Sequence, residues 1–485
     1  MNKTRKFGLC LLGAIVASVA LNAREKPVEI STVINSPLQG KAWVEKCVEQ
    51  YPETLFLADD QVRKTEEGNA SLEGTYSEQL FGKKYVEFDR TIMTLHSLRL
   101  ILDGSDRAYA EFTDAQPADV KLSFGSFRRL HLQGRRLLTS NWRGMSEQQI
   151  GQAMETALVL GDIGKSEKAR ELFRIHGANA PDHDDFYEQI IWFLPNTHNV
   201  CPSFDRLPNV LKELLQKSAN LAHYGHITHL EGTASMFSKL KQSKIPSNDP
   251  FIIAFDLFVH SCDVAGALGH VNNRSSLVYT EPTHKAMQAM GEAVRLLTDP
   301  NQSEQDALNA YLIKRASWVG LDLADNSDRV LARVGAMMRL FNPAEGKILR
   351  KAIGQLDKKD RERILFFLDP LKTNPFYKTP TYMPALLVNL SNNTDLGKTK
   401  EERLAKALQF GLSFIARVFE RHQDQLERGT ANNYIPLNFN EVAGVAKKSP
   451  RALKGDFTID AEGTVHLTPK EEPPQAAPSN DPPKS

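Results

Sequence analysis

Apolar positions recur at helical spacing along most of the chain, in segments closed off by Gly, Pro, Asn and Asp. The spacing predicts helices over Ser146–Leu160, Pro208–Ala222, Asp249–Leu268, Pro282–Leu297, Ser303–Leu321, Asp328–Leu340 and Lys400–Gln425. Two starts are explicit: Ser146 with Gln149 makes a capping box, and Asp249 is an N-cap followed by Pro250 at the first helical position. Asp249–Leu268 (DPFIIAFDLFVHSCDVAGAL) is apolar almost all round, which predicts a helix buried on every side, with Phe251, Ile252, Phe255, Phe258 and Val259 inside. Strand alternation is confined to Phe457–Thr468, where FTID and TVHLT flank the turn Ala461-Glu462-Gly463. The fold class expected is mainly α, a multi-helix globular protein with at most a short β-hairpin near the C-terminus.

The two ends change that picture. Lys3, Arg5 and Lys6 precede an apolar run from Phe7 to Ala20, too short to span a bilayer, and Ser18 and Ala20 match a small-residue cleavage pattern, with Ala23 as the alternative. Residues 1–23 are therefore expected to be a signal peptide, the protein exported to the periplasm or secreted, and the mature chain without a transmembrane segment. From Pro469 the chain is polar and Pro-rich, so 469–485 is expected to be a disordered tail. Between them lie a mixed or helical region (24–120), a helical core (121–345), a C-terminal helical region (346–446) and the hairpin (447–468). Lys+Arg 60 against Asp+Glu 59 excludes the basic surplus that nucleic-acid partners demand. Cleavage leaves Cys47, Cys201 and Cys262; Cys262 sits in an apolar helix, so Cys47–Cys201 is the one disulfide expected.

Candidate chemistry concentrates in the middle of the chain. Six of the thirteen histidines fall between His223 and His284, three of them (His223, His226, His229) at a spacing of three. On the central helix Asp256, His260 and Asp263 follow the i, i+4, i+7 rhythm, and His270 extends the stripe if the helix continues. Charged groups in so apolar a helix cost several kcal/mol unless paired or metal-bound. A His–Asp hydrogen bond in the core is the ordinary explanation; metal or catalytic use is the sharper one. Arg128, His131 and Arg135 share one face of another predicted helix, which suits phosphate recognition and equally a solvated basic face.

From about residue 125 to 275 these elements resemble the HD-domain phosphohydrolases, which carry a histidine, a His-Asp doublet often followed by Ile-Gly-Lys, later histidines and a final aspartate. His131 matches the first histidine; Asp162-Ile-Gly-Lys165 looks like the doublet region; His226 or His229 are the later histidines; His260 or Asp263 closes the set. The doublet's histidine is Gly161 here. A second register starts at His229 and uses His260, Asp263 and Asp325. The resemblance implies a divalent metal ion (Mn, Fe, Mg or Zn) held by residues among His131, Asp162, His226, His229, His260 and Asp263. It further implies a metal-activated water acting on a small phosphorylated substrate, with Arg128, Arg135 and Asp256 as catalytic candidates. His229 is then expected to face His260. The segment GDIGKSEKARELF reads equally as a helix–turn–helix junction of the tetratricopeptide type, with Ala169 and Phe173 in packing roles. The corresponding alternative is a non-catalytic helical scaffold or interaction protein, its protein partner unspecified.

Overall fold

Helices form where the apolar spacing placed them. In the computed structural model the described residues are 32–59, 74–180, 183–197, 200–219, 221–372, 378–432 and 434–468; the expected signal peptide and Pro-rich tail lie outside them. In chain order the principal elements are α1 (Gly40–Gln50), α2 (Val86–Asp103), α3 (Phe124–Leu138), α4 (Glu147–Gly161), α5 (Glu167–Arg174), α6 (His183–Phe193), α7 (Pro250–Gly266) and α8 (Glu281–Leu296). They continue with α9 (Glu304–Val319), α10 (Asn326–Met337), α11 (Pro343–Gly354), α12 (Met383–Asn392), α13 (Lys400–Glu427) and α14 (Asn440–Lys448). The one sheet among the described residues is the antiparallel hairpin β1 (Phe457–Ile459) and β2 (Val465–Leu467), paired Thr458 to His466. No helix among the described residues is long and apolar enough to cross a membrane.

The chain divides into two compact units, Met1–Ala222 with Lys239–Asn301, and His223–Ser238 with Gln302–Ser485. The span 121–345 contributes to both. In the first unit α7 runs along α2 and against α3 and α4. Small residues make that approach possible: a Cβ at Gly266 would stand 2.5 Å from the Thr94 backbone nitrogen, and one at Gly134 would stand 2.4 Å from the Phe258 ring. Ile252, Phe255, Phe258 and Cys262 bury against this neighbourhood. The helix is not buried on every side, however. Phe251 and Val259 are half-buried, as are Asp256 and His260, and Asp263 is exposed. Phe251 stacks on Trp142, ring centroids 4.7 Å apart, so an apolar residue that reads as core serves the rim instead. The Asp249 cap is also corrected: its carboxylate makes no cap bond but accepts from Trp142 Nε1 and Arg143 Nη2, each at 3.1 Å.

In the second unit α13 packs against α11 and α12, and α14 closes on α12. The hairpin is pinned by Arg421, whose guanidinium lies 4.2 Å from the Phe457 ring centroid. The expected Cys47–Cys201 disulfide does not form: Cys47, Cys201 and Cys262 are all buried free thiols. Burial pushes Cys47 and Cys201 well up from the usual thiol range, with Glu155 and Glu53 adding to it respectively, so both stay protonated and unreactive.

Candidate functional site

A buried charged cluster of the first unit is built on the junction between α4 and α5. Asp162 ends α4 and Lys165 closes the 3-10 turn Ile163–Lys165. Ala169 and Phe173 of α5 are fully buried, which is the packing expected of a helix–turn–helix junction. Lys165, itself buried, places Nζ 2.8 Å from Asp162 Oδ1 and 2.9 Å from Oε2 of Glu87, a wholly buried residue in the first turn of α2. Arg90 reaches the other Glu87 oxygen at 3.2 Å. Burial would raise the Asp162 carboxyl, but Lys165, Arg90 and His183 hold it below the usual carboxylate range. Asp263 of α7 shares this field. Its carboxyl is pushed up by loss of surrounding water and by Asp162, while Lys165 and Arg90 offset part of the rise.

The other candidates of this unit are engaged separately. His131 Nδ1 lies 2.9 Å from the Ile101 carbonyl and, since a carbonyl only accepts, carries the proton there. Arg128 Nη1 donates to the Gly104 carbonyl at 3.4 Å. Both side chains thus answer carbonyls at the C-terminus of α2, where cations are favoured. Arg135 pairs with Glu147 at 3.1 Å. Asp256 faces α6, where its charge joins burial in raising the Tyr187 phenol. His260 is half-buried one turn on. At Gly161, where the resemblance lacks its histidine, an added Cβ would meet nothing within 4 Å.

The histidine run belongs to the second unit. His226, in the short helix Tyr224–Thr228, sets Nε2 3.3 Å from Glu231 Oε2 and stacks on His223 with ring centroids 4.7 Å apart. Burial raises the Glu231 carboxyl to about 8, against the backbone N–H groups of Tyr382 and Met383 and the charge of Arg333. Buried Arg333 donates to the carbonyls of Leu230 (2.9 Å), Glu231 and Leu368 (3.2 Å). Leu230 (φ +50°) and Tyr382 (φ +68°) are both left-handed without being glycine, each at a cost of roughly 1–3 kcal/mol. The Arg333 bonds and the Glu231 carboxylate hold these two conformations in place. His229 is depressed to about 3 by burial and by Arg339 and Arg315, against a bond to the Ala336 backbone, so it is neutral at physiological pH.

DUF6829, a family of unknown function, matches residues 49–448. The chain belongs to this family. None of the curated proteins and none of the solved structures matches it. The DUF6829 span takes in both units and all nine candidate residues.

Of those nine, the structure brings Asp162 and Asp263 into one field; His131 is committed to α2, and His226 and His229 lie in the other compact unit from His260. Among the described residues no group of three or more His, Cys, Asp or Glu is arranged to hold a metal ion. The donor set does not fit one at Asp162 either, since an ammonium already sits between its carboxylate and that of Glu87. Sequence reasoning missed Glu87, Arg90, Glu231 and Arg333. Glu87 looks like an ordinary acid in a helix's first turn. Glu231 pairs with His226, five residues before it, a spacing the sequence does show.

Proposed function

We propose that the chain is an exported, non-catalytic helical interaction protein. The observation that carries this reading is the place of Lys165, buried between Glu87 and Asp162 at 2.9 and 2.8 Å. A metal ion at these carboxylates has to displace a cation that already satisfies them. A phosphorylated substrate, being anionic, meets three carboxylates (Glu87, Asp162, Asp263) against two cations (Lys165, Arg90). The basic face offered for phosphate is spent on the α2 carbonyls and Glu147. Buried ion pairs of this kind fix which helices meet, and in doing so they build a frame.

Phosphoester hydrolysis is the second reading, and one observation favours it. Asp162 and Asp263 are neighbouring carboxyls whose surroundings push their proton affinities apart, the arrangement that divides acid and base roles. The two readings separate on turnover of p-nitrophenyl phosphate and bis(p-nitrophenyl) phosphate with Mn²⁺, Mg²⁺ or Zn²⁺ present. The interaction reading expects wild type and Asp263→Asn to match the protein-free blank. Turnover by wild type that Asp263→Asn abolishes overturns it.

A further inference from the structure

The end of α14 carries a charged patch that neither reading uses. Lys447 and Lys448 close the helix, and Arg451 and Lys454 follow in the 3-10 turn Pro450–Lys454 of the same unit. All four side chains are exposed. A helix C-terminus favours cations, which accounts for Lys447 and Lys448, but that field falls off within the last turn and leaves Arg451 and Lys454 unexplained. Among the described residues no carboxylate pairs with any of the four. The acids of the neighbouring chain are committed elsewhere: Glu441 and Asp460 each lie 2.7 Å from His466, and Asp456 lies 3.1 Å from Arg421. The patch also stands on a fixed support. Pro450 and Leu453 are buried beneath it, Asn393 Nδ2 donates to the Lys447 carbonyl at 2.9 Å, and Arg417 donates to the carbonyls of Leu453 (2.6 Å) and Gly455 (3.2 Å).

We propose that this patch seats the protein on the surface of an anionic lipid membrane, with Lys447, Lys448, Arg451 and Lys454 answering the headgroup phosphates. Charge complementarity carries the assignment: four cations without carboxylate partners on one stretch call for an anionic partner, and their attractions to a charged surface add. Three of the four are lysines, whose ammonium groups act as point charges. They suit a diffuse field of headgroups, whereas bidentate recognition of a single phosphate calls for arginines. A single-stranded nucleic acid needs aromatic faces on which its bases stack. The ring beside the patch, Phe410, is half-buried with the Lys454 ammonium 4.7 Å from its centroid, so it offers no such face. The proposal goes beyond the interaction reading and does not depend on it.

The test is co-flotation of the full chain with vesicles of phosphatidylcholine alone, and of phosphatidylcholine with about 30 mol% phosphatidylglycerol. The anionic vesicles should carry the protein and the neutral ones should not, and the bound fraction should fall as salt rises from about 50 to about 500 mM. Lys448→Gln with Arg451→Gln removes two of the four charges. It should weaken binding about 30-fold, since each cation near an anionic surface contributes roughly fivefold. Arg107→Gln with Arg136→Gln, at exposed positions of the first unit, makes the same change in net charge. That variant should stay within about twofold of wild type, because only charges within a Debye length of the surface count. All four substituted positions are exposed, so both variants should keep the wild-type thermal midpoint. No binding to the anionic vesicles, equal binding to the neutral ones, wild-type binding by the Lys448/Arg451 variant, or an equal loss in the Arg107/Arg136 variant each overturns the proposal. Binding to duplex DNA but not to the vesicles overturns it in favour of a nucleic-acid partner. The interaction reading falls separately, on phosphoester turnover, so the two failures are distinguishable.

Discussion

Lys165 is the residue on which two carboxylates depend. Replacing it by Met leaves Glu87 and Asp162 without their central cation, and breaking a buried pair by removing one partner costs about 3–5 kcal/mol. Urea unfolding of Lys165→Met should show a loss of that order, and Glu87→Gln in the same chain should recover part of it. A Lys165→Met protein as stable as wild type contradicts the structural role. Glu155 makes a pH prediction. It is wholly buried, accepts from the Ile34 N–H at 2.8 Å and from the Tyr51 hydroxyl, and burial still lifts its carboxyl to about 7. The folded state therefore binds more protons than the unfolded one between about 4.5 and 7. Glu155 contributes its full stability below about pH 4.5 and loses it as pH rises through 7, by roughly 3 kcal/mol at the limit. Glu155→Gln should flatten the decline of unfolding free energy between pH 5 and 7.5; an unchanged slope in the variant contradicts the assignment. Asp89, also pushed up to about 7 by burial, declines in the same direction, so only the difference between variant and wild type isolates Glu155.

Helices were legible because their signals are local. The Ser146 capping box is present as read, with Gln149 answering the Ser146 backbone. Asp249 was not legible as a partner of Trp142 and Arg143, because those groups lie more than a hundred residues away along the chain. The basic face of α3 misled for a related reason: Arg128 and His131 look like an anion site until the end of α2 is seen beneath them. Gly104 is the counterpart of that contact. It holds φ +65°, and a Cβ there would stand 2.2 Å from His131 Nδ1. Gly104→Ala should cost about 2–3 kcal/mol, combining the left-handed backbone with a displaced imidazole bond. In a His131→Ala background the same change should cost about 1–2 kcal/mol, because only the backbone strain remains. Equal costs in the two backgrounds, measured as a double-mutant cycle, contradict the clash.

Across the whole molecule, periodicity disclosed the helical class and the hairpin, but it carries no record of which helices meet. Glu87 and Lys165 are 78 residues apart, and nothing in either neighbourhood announces the other. The histidine run and the stripe on α7 stand close in sequence, yet they belong to different compact units. The basic start and apolar run of residues 3–20 predict export, so mass spectrometry of the extracytoplasmic protein should find its N-terminus between Leu21 and Arg24; an intact Met1 on a cytoplasmic protein contradicts it. The central claim is that the carboxylates near Asp162 are answered by the protein's own cations, in a frame rather than a metal centre. Elemental analysis of the purified mature protein tests this most directly. The account predicts far less than one equivalent of any divalent metal per chain, unchanged by His260→Ala. One or two equivalents of a single divalent metal, lost on that substitution, would contradict it.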